Sequence, residues 1–155
     1  MSETLSPQGA RSQALDPRGP RFAAGITSVV LALVLVLHST PLAVPLLALQ
    51  TVVFAIGTLS GPAHTPYAWL FRRLVRPRLG PPADLEDPRP VRFAQGVGLG
   101  FAIVGLVGLL LAPVVGLVAI GAAFVAAFLN AAFGYCLGCE MYLLLRRAVP
   151  ARGAS

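Results

Sequence analysis

Two long stretches without a charged side chain decide what this chain can become. Phe22 to Phe71 and Phe93 to Cys139 contain no Asp, Glu, Lys or Arg. Each is about twice the ~20 residues that an α-helix needs to cross the hydrocarbon core of a bilayer, so each is expected to cross and return. That gives four spans. The composition agrees, since 56% of the 155 residues are hydrophobic, 12% are charged and the mean hydropathy is +0.78, too apolar for a soluble domain of this size.

All twelve basic residues are arginine, and they fall in three clusters outside the apolar blocks. The clusters are Arg11, Arg18 and Arg21; Arg72, Arg73, Arg76, Arg78, Arg89 and Arg92; and Arg146, Arg147 and Arg152. A net charge of +6 would suit nucleic acid, but arginines flanking apolar spans are already explained by the positive-inside rule. No nucleic-acid partner is expected. The same rule predicts a multi-pass protein of the plasma (inner) membrane, with both termini and the Arg72 to Arg92 loop cytoplasmic and the turns at Pro41 and Pro113 outside. No cleavable signal is expected, because the first apolar run follows some twenty Pro-, Gly- and Arg-rich residues and is too long for a signal core.

In chain order, residues 1–15 have little to bury and are expected to form a disordered cytoplasmic tail. Asp16-Pro17-Arg18 has the form of a helix start. The first span is expected over Phe22 to Ser39, the second over Leu46 to Leu59 with Leu42 as an alternative start, the third over Phe93 to Ala112 and the fourth over Val114 to Phe133. Prolines between Ser39 and Pro45, and Pro113 with Gly116, supply the reversals. Tyr67 to Val75 mixes aromatics with arginines, which suits a short helix at the headgroups. Residues 76–86 read as a polar linker and 150–155 as a tail. Ala119, Ala123, Ala127 and Ala131 on the fourth span, with Gly96 and Gly100 on the third, predict close small-residue packing.

Asp16 to Gly25 matches Asp87 to Gly96 at seven of ten positions. The expected fold is therefore an all-α membrane protein built from two parallel repeats of a helical hairpin, 16–75 and 87–149. Extending the match with small insertions pairs Phe71-Arg72-Arg73 with Leu145-Arg146-Arg147, and Gly61 to Pro66 with Tyr135 to Glu140. In that register His64 faces the cysteines.

Both cysteines lie three apart in Asn130 to Tyr142, a spacing that chance gives about once in 75 such chains. Thiols so placed can close a disulfide across a helical turn or ligate a metal, in either case through the thiolate. Simple packing in a bundle is the alternative. If the fourth helix breaks near Gly134, Cys136 begins a short interfacial helix whose dipole favours the thiolate. Cys136 then attacks and Cys139 resolves, while Glu140 opposes the thiolate if it is ionised nearby. One long helix from Val114 to Leu145 is the competing geometry. The candidate catalytic residues are Cys136, Cys139 and Glu140, with Asn130, His64 and Arg92 in support.

The strings at 70–80, 87–95 and 129–142 resemble the family catalogued as domain of unknown function 4395, over about residues 14 to 149. The resemblance implies a small integral membrane protein of bacterial, chiefly actinobacterial, type. It also implies a thioredoxin-like or sulfurtransferase protein as a cytosolic partner.

Three functions follow as expectations. The first is a thiol-disulfide or persulfide relay at the cytoplasmic face, an oxidoreductase-like chemistry. Four-helix quinone-linked thiol enzymes resemble it in outline, which makes quinone a candidate cofactor, although they generally carry a further cysteine pair. The second is a zinc or copper site from Cys136, Cys139 and His64, which needs more ligands than one chain offers and would be completed by a homodimer. The third is a structural or transport subunit, with lipid as its main partner and Gln50, Gln95 and Asn130 bridging helices.

Overall fold

The computed structural model describes residues 14–149. The tails expected at 1–15 and 150–155 lie outside the described residues, except for Ala14 and Leu15. Within that range the chain is helical, with α1 over Arg18–Val36, α2 over Ala43–Leu59, α3 over Pro66–Leu70, α4 over Pro88–Leu111, α5 over Pro113–Phe133 and α6 over Leu137–Ala148. A π-turn at Phe71–Val75 extends α3, and a 3-10 turn at Arg76–Arg78 follows it. α1, α4 and α5 are long and apolar enough to cross a membrane, and α2 is a shorter apolar helix of 17 residues.

The second span takes its earlier expected start, and the third begins before its expected one. α2 begins at Ala43, so Pro45 lies in its first turn, where a helix N–H has no partner to lose. α4 begins at Pro88 rather than Phe93, because the Asp87 carboxylate accepts the Arg89 N–H and starts the helix five residues early. The linker is also less free than its composition suggests. Leu15 and Glu86 exchange both backbone hydrogen bonds at 2.8 Å, tying the start of the first repeat to the start of the second.

The four long helices pack in a ring, α1 against α5, α5 against α4, α4 against α2 and α2 against α1. Arginines at the two helix starts define one end of this ring. Arg21 donates to the Ala131 carbonyl near the end of α5, and Arg92 donates at 2.6 and 2.8 Å to Thr58 and Leu59 at the end of α2. Each guanidinium thus takes up carbonyls that a helix terminus leaves unpaired. At the other end a cluster including Leu31, Val34, Ala43, Leu47, Ala102 and Ile120 fills the interior.

Close packing uses the expected Ala119 and Ala123, which are buried on α5, but not the expected glycines. Gly100 faces open space and Gly96 meets Thr58 of α2, whereas Gly108 and Gly116 bring the backbones of α4 and α5 into contact. The turn at Pro113 places those two glycines opposite each other, so the narrowest crossing sits beside the reversal. The outer faces stay apolar, with Val36, Leu111 and Val114 each at least 75% exposed, as suits contact with lipid tails.

Candidate functional site

α5 ends at Phe133 because Gly134 takes the left-handed conformation, φ 68°, that closes a helix C-terminus and costs other residues strain. Of the two geometries that the sequence left open, the break at Gly134 forms and the single long helix does not. Cys136 follows in extended conformation as the N-cap of the twelve-residue α6, and the Cys139 N–H donates to its Sγ at 3.2 Å. The two sulfurs are joined as a disulfide across Cα atoms 5.2 Å apart. Between them, Gly138 lies against α4 so closely that a Cβ there would come within 2.6 Å of the Ala94 Cβ. Only a glycine lets the cysteine turn seat at this depth.

The first repeat supplies an internal comparison. Thr65 caps α3 just as Cys136 caps α6, its Oγ1 accepting the Ala68 N–H at 3.2 Å. Thr65 and Ala68 precede Cys136 and Cys139 by 71 residues each, and Asp16, Arg21 and Phe22 stand in the same relation to Asp87, Arg92 and Phe93. The register of the second halves is thus 71, and the expected pairing of Phe71-Arg72-Arg73 with Leu145-Arg146-Arg147 is corrected. Phe71 corresponds to Tyr142, and His64 to Tyr135. The turn geometry is common to both repeats, while the sulfur chemistry is confined to the second.

The cysteines line a central cavity of about 610 Å³ at the arginine end of the ring. Its walls are the first halves of α1 and α4, the second half of α5 and the start of α6, and they include Asn130 and Glu140. Phe54 and Ala123 belong both to these walls and to the packed cluster, so the cavity ends on the core. Polar groups enter it at a few points. Gln50 is fully buried, with its Nε2 donating to Thr27 at 3.3 Å and its Oε1 accepting the Tyr67 hydroxyl at 2.8 Å. Thr27 and Tyr67 themselves face the cavity. Burial pushes the Tyr67 phenol above its usual 10.0, which keeps the proton that it donates. Gln95 also lines the cavity, and its buried Oε1 has no donor among the described residues.

The cavity thus gathers Cys136, Cys139, Glu140 and Asn130, but neither His64 nor Arg92 lines it. Arg92 is occupied at the end of α2. His64 closes the 3-10 turn Pro62–His64 of the first repeat, and the register of 71 removes the reason to place it opposite the thiols. Among the described residues no three His, Cys, Asp or Glu side chains come together as a metal-holding group, so Cys136, Cys139 and His64 do not form the expected set. Tyr67 is the lining residue that sequence reasoning missed. Its neighbours place it with the headgroup aromatics, and the available signal is its position two residues after Thr65, the equivalent of Cys136.

These features define a class, a small all-helical protein of apolar helices with a disulfide at a helix start beside a partly open cavity. The model of the family described as Domain of unknown function (DUF4395) matches residues 15–147, and the chain belongs to that family. No curated protein and no solved structure matches it.

Proposed function

We propose that this is a membrane protein whose Cys136–Cys139 pair exchanges disulfides with a thioredoxin-like protein at the cytoplasmic face. The observation that carries it is the position of Cys136 as the N-cap of α6, with a backbone N–H directed at its sulfur. When the disulfide opens, that N–H and the helix start favour the thiolate on Cys136, the nucleophile of exchange. Cys139, one turn into the helix, resolves the mixed disulfide. The same site would carry a persulfide on Cys136 if the partner is a sulfurtransferase. The setting is a four-span bundle in which α2 crosses as well, with the arginine end inside and the two hairpins related by rotation about the bundle axis.

The test is to mix the reduced Cys139→Ser protein with an oxidised thioredoxin. A covalent complex through Cys136, released by reductant, is expected. If Cys136 alkylates freely yet forms no mixed disulfide, the proposal fails. Orientation is checked separately by a reporter fused after residue 80, which should be active only in the cytoplasmic form.

A further inference from the structure

We infer that Arg21, carried by the first repeat, is the cation that holds Cys136 as a thiolate once the disulfide opens; this rests on the exchange function proposed above. Arg21 and Arg92 are equivalents, 71 residues apart, and each reaches from the first long helix of its own repeat to the end of the second long helix of the other. Their bonds differ. Arg92 grips two carbonyls at 2.6 and 2.8 Å through Nε and Nη2, whereas Arg21 makes one long contact, 3.5 Å, to Ala131. Among the described residues the ion pairs are those of Asp16 with Arg18 and Asp87 with Arg89, so Arg21 has no carboxylate partner. Arg92 fixes a helix end, while Arg21 keeps donors and a charge to spare.

The spare charge lies at the cysteine turn. A Cβ on Gly134 would stand 3.5 Å from the Arg21 Cζ and 3.6 Å from its Nε, so the guanidinium lies against the backbone two residues before Cys136. Arg21 lines the same cavity as both cysteines, which Arg92 does not. The other titratable side chains around that cavity are Tyr67 from α3, Glu86 and Asp87 at the entry to α4, and Glu140 on α6, while α2 and α5 contribute none. Arg21 is therefore the one cation facing the thiols among the described residues. Of the carboxylates that oppose it, Asp87 is paired with Arg89 and Glu140 is exposed. A positive charge beside a thiol favours its ionised form. In exchange, Cys136 gives its proton to solvent and its sulfur attacks one sulfur of the partner's disulfide, one S–S bond forming as the other breaks. The electron pair leaves on the partner's second sulfur, which takes a proton from solvent. Arg21 acts through Cys136, by raising the fraction of it that is ready to attack.

The experiment uses the full chain with Cys139→Ser in phospholipid nanodiscs and follows alkylation of Cys136 by iodoacetamide against pH. Arg21→Gln keeps a donor for the Ala131 carbonyl and removes the charge. The midpoint of its profile is expected to rise by about one pH unit, the low end of the effect of an opposite charge, as suits an exposed guanidinium. Near neutral pH that cuts the thiolate about tenfold, and the greater nucleophilicity of the more basic sulfur returns about threefold, so alkylation slows about threefold. Arg21→Lys should restore the profile. Arg73→Gln, which removes an equal charge from a guanidinium stacked on Trp69 outside the cavity, should leave it unchanged. Raising sodium chloride from about 0.05 M to about 1 M should move the midpoint upward while Arg21 is present, which is the reading if Arg21→Gln does not fold. Equal midpoints with Arg21 and Arg21→Gln, no recovery in Arg21→Lys, an equal rise in Arg73→Gln, or a midpoint indifferent to salt overturns the role of Arg21 and leaves exchange standing. Failure of the Cys139→Ser protein, with Arg21 in place, to form a mixed disulfide with oxidised thioredoxin instead overturns the exchange function.

Discussion

The ring of Phe93 on α4 packs against that of Tyr142 on α6, with centroids 5.7 Å apart and planes tilted by 51°. Phe22 and Phe71 repeat the contact in the first half at 5.8 Å and 47°. In each half an aromatic pair holds the short terminal helix onto the first long helix, and in the second half that helix carries the disulfide. Tyr142→Ala should therefore loosen α6 without disturbing the four long helices. The expected cost is about 0.5–1.5 kcal/mol beyond lost area, with faster reduction of Cys136–Cys139 by dithiothreitol. Tyr142→Phe should restore wild-type behaviour, and alkylation followed by mass measurement reads both.

Gly138 is the second hold on the cysteine turn. Gly138→Ala puts a methyl group within 2.6 Å of the Ala94 side chain and 2.7 Å of its Cα, so α6 must move off α4. Overpacking of this kind costs about 1–3 kcal/mol. A lower unfolding midpoint in detergent and a more reactive disulfide are expected. An unchanged midpoint would mean that the turn seats less tightly than described.

Much of this was legible in the residues. The Asp16 and Asp87 strings announce the repeat because each aspartate takes up the N–H and guanidinium two residues on, a local interaction that sequence spacing reports directly. Gly134 announces the helix break for the same reason, since a left-handed cap is a property of one residue. The alignment of His64 was missed because insertions in the second halves cannot be placed by similarity alone, and a shift from 71 to 74 moves it from the Tyr135 position to the Gly138 position between the cysteines. The cavity was invisible because it depends on which helices fail to touch. Gln95 and Gln50 look alike in sequence, yet one is fully bonded between Thr27 and Tyr67 and the other has an oxygen to spare.

The Gln50 network should matter for stability more than for exchange. Gln50→Leu leaves the Tyr67 hydroxyl without its acceptor and removes the donor to Thr27. Stranding a buried hydroxyl costs about 1–3 kcal/mol, offset in part by the gain in apolar contact. The unfolding midpoint should fall, while the rate of Cys136–Cys139 reduction should hold within about twofold. Tyr67→Phe combined with Gln50→Leu should recover part of the loss, since both polar partners are then gone.

The acid side of the stability profile should depend on the two capping aspartates. Hydrogen bonding from the Arg18 side chain holds the Asp16 carboxyl below its usual 3.8, and Arg89 does the same for Asp87. A depressed carboxylate contributes stability that is present above its unfolded value and is lost as pH falls through the folded one. Unfolding midpoints measured from neutral pH to about pH 3 and below should therefore decline in the wild type. Asp16→Asn should start lower and decline less, because it has no charge to lose.

The disulfide itself decides the central claim. The protein in nanodiscs would be equilibrated in a series of dithiothreitol redox buffers, quenched with an alkylating agent and weighed, first by stepwise reduction and then by reoxidation. A reversible transition between no added groups and two, with Cys136 labelled faster in Cys139→Ser than Cys139 is in Cys136→Ser, is the predicted result. A pair that stays closed at every poise, or opens and does not close again, or two cysteines that alkylate equally slowly, would contradict it and leave Cys136 and Cys139 as a fastening for α6.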